Sequence, residues 1–478
     1  MSPSNSATIA PKELEELCAD ARRAQGVVGA QVALAIGDDL ISASDGLANA
    51  ALDELVTERT LFQIGSTTKL YTAVLAMQLV ESGRLKLDEP VTSQALRGTR
   101  LSMSPESGSI TPRQLMAMTS GLDNGPYIDT GRNDDCVERY VNLLDEIPLI
   151  SEPGANYGYS NASTVVSGLA VERLTGAIWD DALREGLLQP AGLQHSVSLF
   201  EELPYHPVAV GHVDTTHGTQ VVAGPWCFSR GAGPAGTSLA ASAEDLARFG
   251  SIFLRGGLAN DGTRILSAES VDVMQSRQID VPSRCFADAW CVGPYAKDWG
   301  KVEVFGHSGT NVNGSSTLVW VPELGIVVAT VVNSPQRGYG FADAVLDVVF
   351  RDWLGVAKPS RPEPLSSPPA GLAAYEGRYR SYGITYDVTV RDHALSLSVE
   401  SETPRYLSGR RVTSELLPLG DHRFLPADDA VTDHHRWDIA FSLDAAGDVN
   451  ILHNGALAAR REMAHGTPAQ DARTDGRG

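Results

Sequence analysis

The sequence predicts an α/β protein of two domains, in which a large mixed domain precedes a small antiparallel β domain. Strand patterns lie near both ends of residues 1–355 and enclose a middle, roughly residues 60–260, that is mainly helical with long loops. Residues 356–370 are rich in proline and have the composition of a linker. Alternating stretches broken by Gly and Asp turns then predict a β domain over residues 371–465, followed by a disordered tail over 466–478. We therefore expect the termini of the first domain to build one sheet.

The first domain opens with a predicted helix over residues 11–25 and two strands, 27–36 and 40–45, that turn at Gly37. Strand patterns return at residues 302–305, 316–321 and 325–332, and a helix follows near 339–353. In the second domain, hydrophobic alternation predicts strands at residues 384–390, 394–399 and 437–443.

Composition limits the function classes. The 478 residues are 42% hydrophobic and 20% charged, which is ordinary for a soluble globular protein. The net charge of −21 argues against nucleic acid or an anionic membrane as partner. Five cysteines at irregular spacings fit neither a disulfide framework nor a zinc site, and we expect no metal and no cofactor. Since the first residues carry neither a basic start nor an apolar run, we expect a cytoplasmic protein.

The segment Ser66-Thr-Thr-Lys69 predicts a nucleophile and its base on one face of a helix. Residues three apart on a helix are neighbours, so the Lys69 amine is expected to reach the Ser66 hydroxyl. An apolar stripe carries this helix to about Ser82, and Gly83 ends it. The spacing alone is weak evidence, because a capped helix with an exposed lysine has the same pattern.

Two further segments carry candidate site residues. Tyr159 and Asn161 follow a Pro-Gly turn and precede the helical pattern 162–174, where a phenol is able to exchange protons and an amide to hold a carbonyl or the lysine. A buried aromatic residue beside an Asn helix cap is the alternative. His307 and Gly309 lie on or beside the strand 302–305, where glycine lets a substrate backbone approach the sheet, although a lone histidine there is usually structural.

A glycine-rich turn at residues 233–236 leads into a helix with Ser242 as its N-cap and Asp245 at the third position. No Gly-Lys-Ser/Thr follows, which excludes a phosphate-binding loop.

In this order, Ser66-x-x-Lys69, Tyr159-x-Asn161 and His307-x-Gly309 resemble the motifs of the serine β-lactamase and penicillin-binding-protein superfamily. The resemblance covers about residues 15–355 and implies an antiparallel sheet flanked by helices plus a helical subdomain. His307 stands where most lactamases have lysine, which is similar to the class C-like branch of esterases, D-aminopeptidases and transacylases and makes antibiotic hydrolysis less expected.

Within that superfamily, residues 68–73, residues 129–140, the His-Ser-Gly segment and the added β domain resemble the penicillin-binding-protein-type thioesterases. Those stand-alone enzymes release nonribosomal peptides from a peptidyl carrier protein, mostly by head-to-tail cyclisation. Their second domain is lipocalin-like, which implies a small antiparallel β-barrel over residues 371–465.

The resemblance also implies residue roles. Neutral Lys69 takes the proton of Ser66 during attack on a peptidyl thioester, and the backbone N–H groups of Ser66 and Thr310 hold the oxyanion. Tyr159 accepts a proton from the amine that releases the acyl group. Asn161 and His307 position Lys69, Tyr159 and the acyl group.

Other assignments are weaker. Trp226, Gly309 and Arg460 are candidates for substrate binding, with Arg460 reaching from the β domain to a polar end of the substrate. Arg132 is expected to form a structural ion-pair loop with Asp134 and Asp135. A transacylase, an esterase or a D-amino-acid amidase that acts on small acyl esters, thioesters or amides uses the same serine and remains an alternative. A ligand-sensing domain without catalysis is a further one.

Overall fold

The computed structural model describes residues 9–126, 128–215, 220–224, 226, 229–366, 369–402, 411–432 and 437–462. The helices are α1 (Pro11–Gln25), α2 (Thr68–Glu81), α3 (Val91–Gln94), α4 (Pro112–Met116), α5 (Cys136–Asn142), α6 (Asn161–Thr175), α7 (Trp179–Leu183), α8 (Ala243–Leu254), α9 (Ala268–Gln275) and α10 (Gly338–Leu346). The strands are β1 (Gly29–Ile36), β2 (Asp39–Asn49), β3 (Glu54–Leu55), β4 (Phe62–Gln63), β5 (Ser196–Val197), β6 (His212–Asp214), β7 (Gln220–Val222), β8 (Ala240–Ala241), β9 (Ile279–Asp280), β10 (Ala289–Trp290), β11 (Tyr295–Asp298), β12 (Glu303–Thr310), β13 (Ser315–Val321), β14 (Ile326–Val332), β15 (Gly377–Ser381), β16 (Ile384–Arg391), β17 (Ala394–Ser401), β18 (Arg411–Gly420), β19 (Arg423–Pro426), β20 (Ile439–Leu443), β21 (Val449–Asn454) and β22 (Leu457–Arg461).

The central sheet joins both ends of the first domain, as predicted. Its order is β3-β2-β1-β14-β13-β12-β11-β10-β9, and its neighbouring strands pair antiparallel. Strands β1 and β14 pair in full register from Ala30↔Val332 to Ile36↔Ile326, because both are nearly continuous apolar runs buried on both faces. The sequence did not predict β9, β10 and β11, which are short and lack a clear alternation.

Helices cover both faces of this sheet. Helices α2 and α8 lie in one apolar cluster with residues such as Leu70, Phe249 and Trp320. Helices α1 and α10 pack in the cluster on the other face through Leu14 and Phe341. The predicted helix near 339–353 is α10 followed by a wider helical turn over Asp347–Trp353.

A third apolar cluster forms the helical subdomain. Side chains of α4, α5 and α6 meet there, among them Leu115, Tyr140 and Val165. Helix α6 also packs against α2 and so ties this subdomain to the sheet domain.

Residues 354–366 and 369–371 contain no helix or strand, in the place of the predicted linker. Beyond them, β15 to β22 close into an eight-stranded barrel whose core includes Tyr379, Leu397 and Phe441. The predicted fold class is confirmed, including the C-terminal barrel. The predicted tail over 466–478 lies outside the described residues, and within the described part of the chain no helix has the length and apolar character to span a bilayer.

The barrel docks on the first domain through polar contacts. The buried Asp438 carboxylate of the barrel accepts hydrogen bonds from Ser283 Oγ (2.6 Å) and the Cys285 amide (3.0 Å). The Tyr382 amide, between β15 and β16, donates to Asp123 Oδ2 at 2.8 Å. Burial raises the pKa of the Asp123 carboxyl to about 7.

Cys18, Cys136 and Cys291 are buried free thiols, and Cys285 is a half-buried free thiol. Cys227 lies outside the described residues.

Candidate active site

Ser66 lies on a tight turn at the entrance of α2. Gly65, Ser66 and Thr67 form one turn of 3₁₀ helix, and Gly65 has φ +54°, a conformation that favours glycine. A Cβ on Gly236 or on Gly309 would collide with the backbone of this turn. The nucleophile turn is therefore clamped between two other glycines, which fixes the direction of the Ser66 side chain.

Helix α2 extends from this turn to Glu81, and Ser82 and Gly83 follow as predicted. Instead of one apolar stripe, the helix is buried almost all round from Thr68 to Leu79. A helix buried on all sides has a fixed rotation, so Lys69 is held at one place beneath Ser66.

Lys69 is 2% exposed, and its Nζ donates three hydrogen bonds. The acceptors are Ser66 Oγ at 2.9 Å, Asn161 Oδ1 at 2.6 Å and the Ala235 carbonyl at 2.7 Å. A carbonyl and an amide oxygen accept only, whereas a hydroxyl also donates. The arrangement therefore suits the ammonium form, which has three N–H groups, and equally the neutral amine, whose lone pair receives the Ser66 proton.

Tyr159 and Asn161 lie where the loop enters α6. Ser160, rather than Asn161, is the N-cap, since Ser160 Oγ accepts from the Ser163 amide at 3.0 Å. Asn161 is the first helical residue, and this frees its side chain for Lys69. The Lys69 Nζ lies 4.9 Å from the centroid of the Tyr159 ring, in a cation–π arrangement.

His307 lies inside β12, opposite Leu318 of β13. It is 2% exposed, and the rings of Trp290, Tyr159 and Tyr295 surround it at centroid distances of 5.5, 6.2 and 6.4 Å. Burial, together with the charge of Lys69, lowers the pKa of His307 to about 3, so the ring is neutral at physiological pH.

The tautomer of His307 follows from its contacts. Its Nδ1 lies 2.7 Å from the Ser308 carbonyl, which accepts only, so Nδ1 carries the proton. Nε2 then presents a lone pair, and among the described residues it has no hydrogen-bond partner. The site thus contains a buried acceptor that none of the described residues uses.

The end of β12 lies directly against the nucleophile turn. A Cβ placed on Gly309 would lie 2.5 Å from the Ser66 nitrogen, and a Cβ placed on Gly65 would lie 2.6 Å from the Thr310 nitrogen. The structure thus places both predicted oxyanion groups on adjoining backbone. It adds a second reason for glycine at position 309, because residues 64–67 take the space that its missing side chain leaves. The approach of a substrate backbone to Gly309 stays a prediction.

Two of the weaker assignments, Trp226 and Arg460, lie elsewhere. Trp226 Nε1 donates to the Ala209 carbonyl. The Trp226 carbonyl accepts a hydrogen bond at 2.8 Å from Nε2 of Gln63, a residue that lies three positions before Ser66 in the sequence. Arg460 is on β22, and its guanidinium faces the Leu149 carbonyl at 3.5 Å.

The ion-pair loop that was predicted around Arg132 is paired differently. Arg132 forms an ion pair with Glu201 at 2.7 Å. Asp134 lies 3.5 Å from Arg230, and Asp135 pairs with Arg139 at 2.8 Å because the two residues are four apart at the start of α5.

Three site residues were missed in the sequence. Ala235 lies within the predicted glycine-rich turn and contributes its carbonyl, and a backbone acceptor leaves no side-chain signal. Met118 has φ +57°, a rare conformation for a residue with a side chain, and its carbonyl accepts from the Gly158 amide at 2.8 Å. Ala456 of the barrel accepts from the Tyr159 amide at 3.2 Å, a contact that only the docked domains reveal.

Comparison with known proteins places this geometry in a family. A β-lactamase family model matches residues 14–349. Penicillin-binding protein 4 of Amycolatopsis lactamdurans is 34% identical over 366 residues, which are 73% of this chain and 94% of that protein. The chain belongs to the β-lactamase family.

Similarity to solved structures extends into the barrel. The crystal structure of SurE is 27% identical with a TM-score of 0.78 and covers 95% of this chain and 99% of its own. SurE with D-Leu superposes with a TM-score of 0.76 over the same shares. Unguisins hydrolase ungD of Aspergillus violaceofuscus is 22% identical over 384 residues, 75% of this chain and 67% of that protein. Family and site together define a serine-dependent hydrolase or acyltransferase.

Proposed function

We propose that this protein is a thioesterase that takes a peptidyl group from a carrier protein onto Ser66 and releases it by head-to-tail cyclisation. The observation that carries the proposal is the Ser66–Lys69–Asn161 arrangement beside a docked barrel, in a chain whose motifs resemble penicillin-binding-protein-type thioesterases. We place this reaction in the cytoplasm, where carrier-bound peptides are made.

In the first step, Lys69 takes the Ser66 proton while Ser66 Oγ attacks the thioester carbonyl. The carbonyl oxygen becomes negative and is stabilised by the N–H groups of Ser66 and Thr310. The carbon–sulfur bond breaks, the carrier thiol takes up a proton, and the peptide is left as an ester on Ser66.

In the second step, the amino terminus of the same peptide attacks the ester. Tyr159 relays a proton: its oxygen takes one from this amine while its own O–H proton passes to Lys69, which became neutral again when it protonated the carrier thiol. The bond between the acyl carbon and the Ser66 oxygen breaks, and Lys69 gives its proton to that oxygen. His307 Nε2 accepts a hydrogen bond from the substrate, since it is a buried and neutral acceptor. Cyclisation outcompetes hydrolysis when the site holds the amine near the ester and excludes water.

The acyl residue on Ser66 is proposed to have the D configuration. The support is SurE, a relative in sequence and fold that has been solved with D-Leu. A pair of peptidyl thioesters that differ only in the chirality of their last residue is the matched test of this point.

The proposal is tested by product analysis with such a pair of thioester mimics, beside a short-chain ester and a D-amino-acid amide. We expect a product from the D-ended thioester that is lighter than the free acid by one water. Linear acid alone would contradict cyclisation and favour a hydrolase, a function that the unguisins hydrolase ungD carries in its name. Turnover of the ester or amide without the thioester would contradict the thioesterase.

A further inference from the structure

The backbone around Tyr159 is held by hydrogen bonds from two domains. The Gly158 amide donates to the Met118 carbonyl at 2.8 Å, and the Asn161 amide donates to Asn124 Oδ1 at 2.9 Å. Both acceptors belong to the first domain. The amide of Tyr159 itself donates to the Ala456 carbonyl of the barrel. The barrel thus supplies the acceptor for one backbone amide of the catalytic loop.

Ala456 lies at the tip of the hairpin between β21 and β22, and this tip is fixed. The two strands pair up to Asn454↔Leu457, which leaves Gly455 and Ala456 as the turn. Gly455 has φ +57°, and a Cβ there would collide with the indole of Trp437. Asn454 Nδ2 donates to the Val431 carbonyl at 2.9 Å. The turn has little freedom to move away from Tyr159.

Apolar contacts hold the same hairpin against the loop. The Cβ of Ala458 is 3.4 Å from the position a Cβ would occupy on Gly158. Ile150 of the first domain forms a small buried cluster with Ile451 and Ala458 of the barrel. The rings of Tyr157 and His453 lie 6.4 Å apart.

We propose that the β21–β22 hairpin is a positioning element for Tyr159, so that the barrel is part of the catalytic apparatus. The Ala456 carbonyl fixes the position of the Tyr159 backbone through its hydrogen bond. It thereby fixes the position of the Tyr159 ring beside Lys69. The inference rests on the proposed function in that Tyr159 carries a proton in the reaction. Hairpin residues act through Tyr159 and touch no reacting atom.

The structure offers a matched pair of substitutions for the test. Gly455→Ala forces the hairpin tip against Trp437. Gly447→Ala changes a glycine with φ +86° at the opposite end of β21, where nothing lies within 4 Å. Both variants strain a left-handed turn in the same barrel, but only the first acts on the Tyr159 loop. Ala458→Val is a second variant that pushes on Gly158 without backbone strain.

Each variant is measured in the full chain for melting temperature, kcat and KM, with a peptidyl thioester and with a p-nitrophenyl ester. We expect G455A and A458V to lower kcat roughly tenfold to 100-fold relative to G447A, because small displacements of a catalytic group are costly. In the Y159F background the same substitutions should change kcat less than about twofold, since residues that act through one another are non-additive.

Two results would overturn the inference: kcat of G455A and A458V within about twofold of G447A, or an equal loss in the Tyr159 and Y159F backgrounds. Failure of the wild type on the thioester alone would contradict the proposed thioesterase and leave the hairpin to be decided with the ester. A melting temperature of G455A far below that of G447A shifts the decision to A458V.

Discussion

The site contains two buried nitrogen bases, and they differ in how completely the protein satisfies them. Lys69 Nζ has Ser66, Asn161 and Ala235 as hydrogen-bond acceptors within 3 Å. His307 uses Nδ1 on the Ser308 carbonyl, but its Nε2 has no partner in the part of the chain that the structure describes. The hydrogen bonds of Lys69 are thus complete without substrate. His307 Nε2 is left as an acceptor for a hydrogen bond from substrate.

The difference has a physical cause in the elements that hold each residue. Lys69 leaves a buried helix at its polar entrance, where backbone and amide oxygens converge. His307 leaves a strand among the rings of Trp290 and Tyr159; no described residue places a donor on its Nε2, and burial disfavours a charged ring. We infer that Lys69 serves formation of the acyl-enzyme and that His307 serves its release.

The largest expected effect comes from Lys69→Met, which keeps an unbranched side chain and removes the base. We expect the rate of Ser66 acylation to fall by about 10³-fold or more, because an unactivated serine is a poor nucleophile. Single-turnover acylation with an ester reporter measures it, with the exposed Lys301→Met as control. Acylation of K69M at a rate within tenfold of the wild type would contradict the role of Lys69.

Asn161→Ala should have the next largest effect. It removes the Oδ1 acceptor from Lys69 and leaves Ser66 and Ala235 in place. We expect acylation to slow by roughly 10-fold to 100-fold with KM little changed, since the base loses its orientation and the substrate loses no contact. A rise in KM with unchanged kcat would instead identify Asn161 as a group that binds substrate.

His307→Phe tests acylation of Ser66 and release of the acyl group separately. It keeps an aromatic ring in the pocket and removes the Nε2 acceptor. We expect near-normal acylation, while release slows roughly 10-fold to 100-fold, so that acyl-Ser66 accumulates. His307→Gln, which returns an acceptor oxygen, should recover part of the release rate. Equal losses of the acylation rate and of the release rate would contradict the assignment of His307 to release.

Asp123→Asn gives the smallest effect and concerns stability. Burial raises the pKa of the folded Asp123 carboxyl from its ordinary value of 3.8 to about 7. A raised folded pKa stabilises the protein at low pH, and the contribution is lost as the pH rises from about 4 to about 7, since the unfolded chain gives up its proton first. The melting temperature of the wild type should therefore fall more than that of D123N across this range. Parallel pH curves would contradict the buried, protonated state.

The sequence predicted the sheet from long buried strands such as β1 and β14, whose apolar runs and turns are local signals. It failed at β9 and β10, which have two residues each and owe their strand form to neighbours in the sheet. The sequence also predicted one apolar stripe for α2, although the helix is buried on all sides. Polar residues of α2 such as Thr72 are buried too, because their side chains form hydrogen bonds with carbonyls distant in the sequence.

The candidate site divides in the same way. Ser66, Lys69 and Asn161 were predictable because their spacing reflects helix geometry and a known motif order. The contributions of Ala235 and Ala456 were not, since both come from backbone carbonyls that tertiary packing brings in. The close approach of residues 64–67 to Gly309 was also not predictable, because the sequence does not show which backbone occupies the space beside a glycine.

The most direct test of the central claim is intact-protein mass spectrometry after mixing with the D-ended peptidyl thioester, with the wild type beside Ser66→Ala. We predict that the intact wild-type protein gains the mass of the peptidyl group and that S66A gains none. After digestion of the wild type, the added mass should lie on the fragment that contains Ser66. A wild type without adduct in a time course from milliseconds to minutes, or an equal adduct on S66A, would contradict acyl transfer through Ser66.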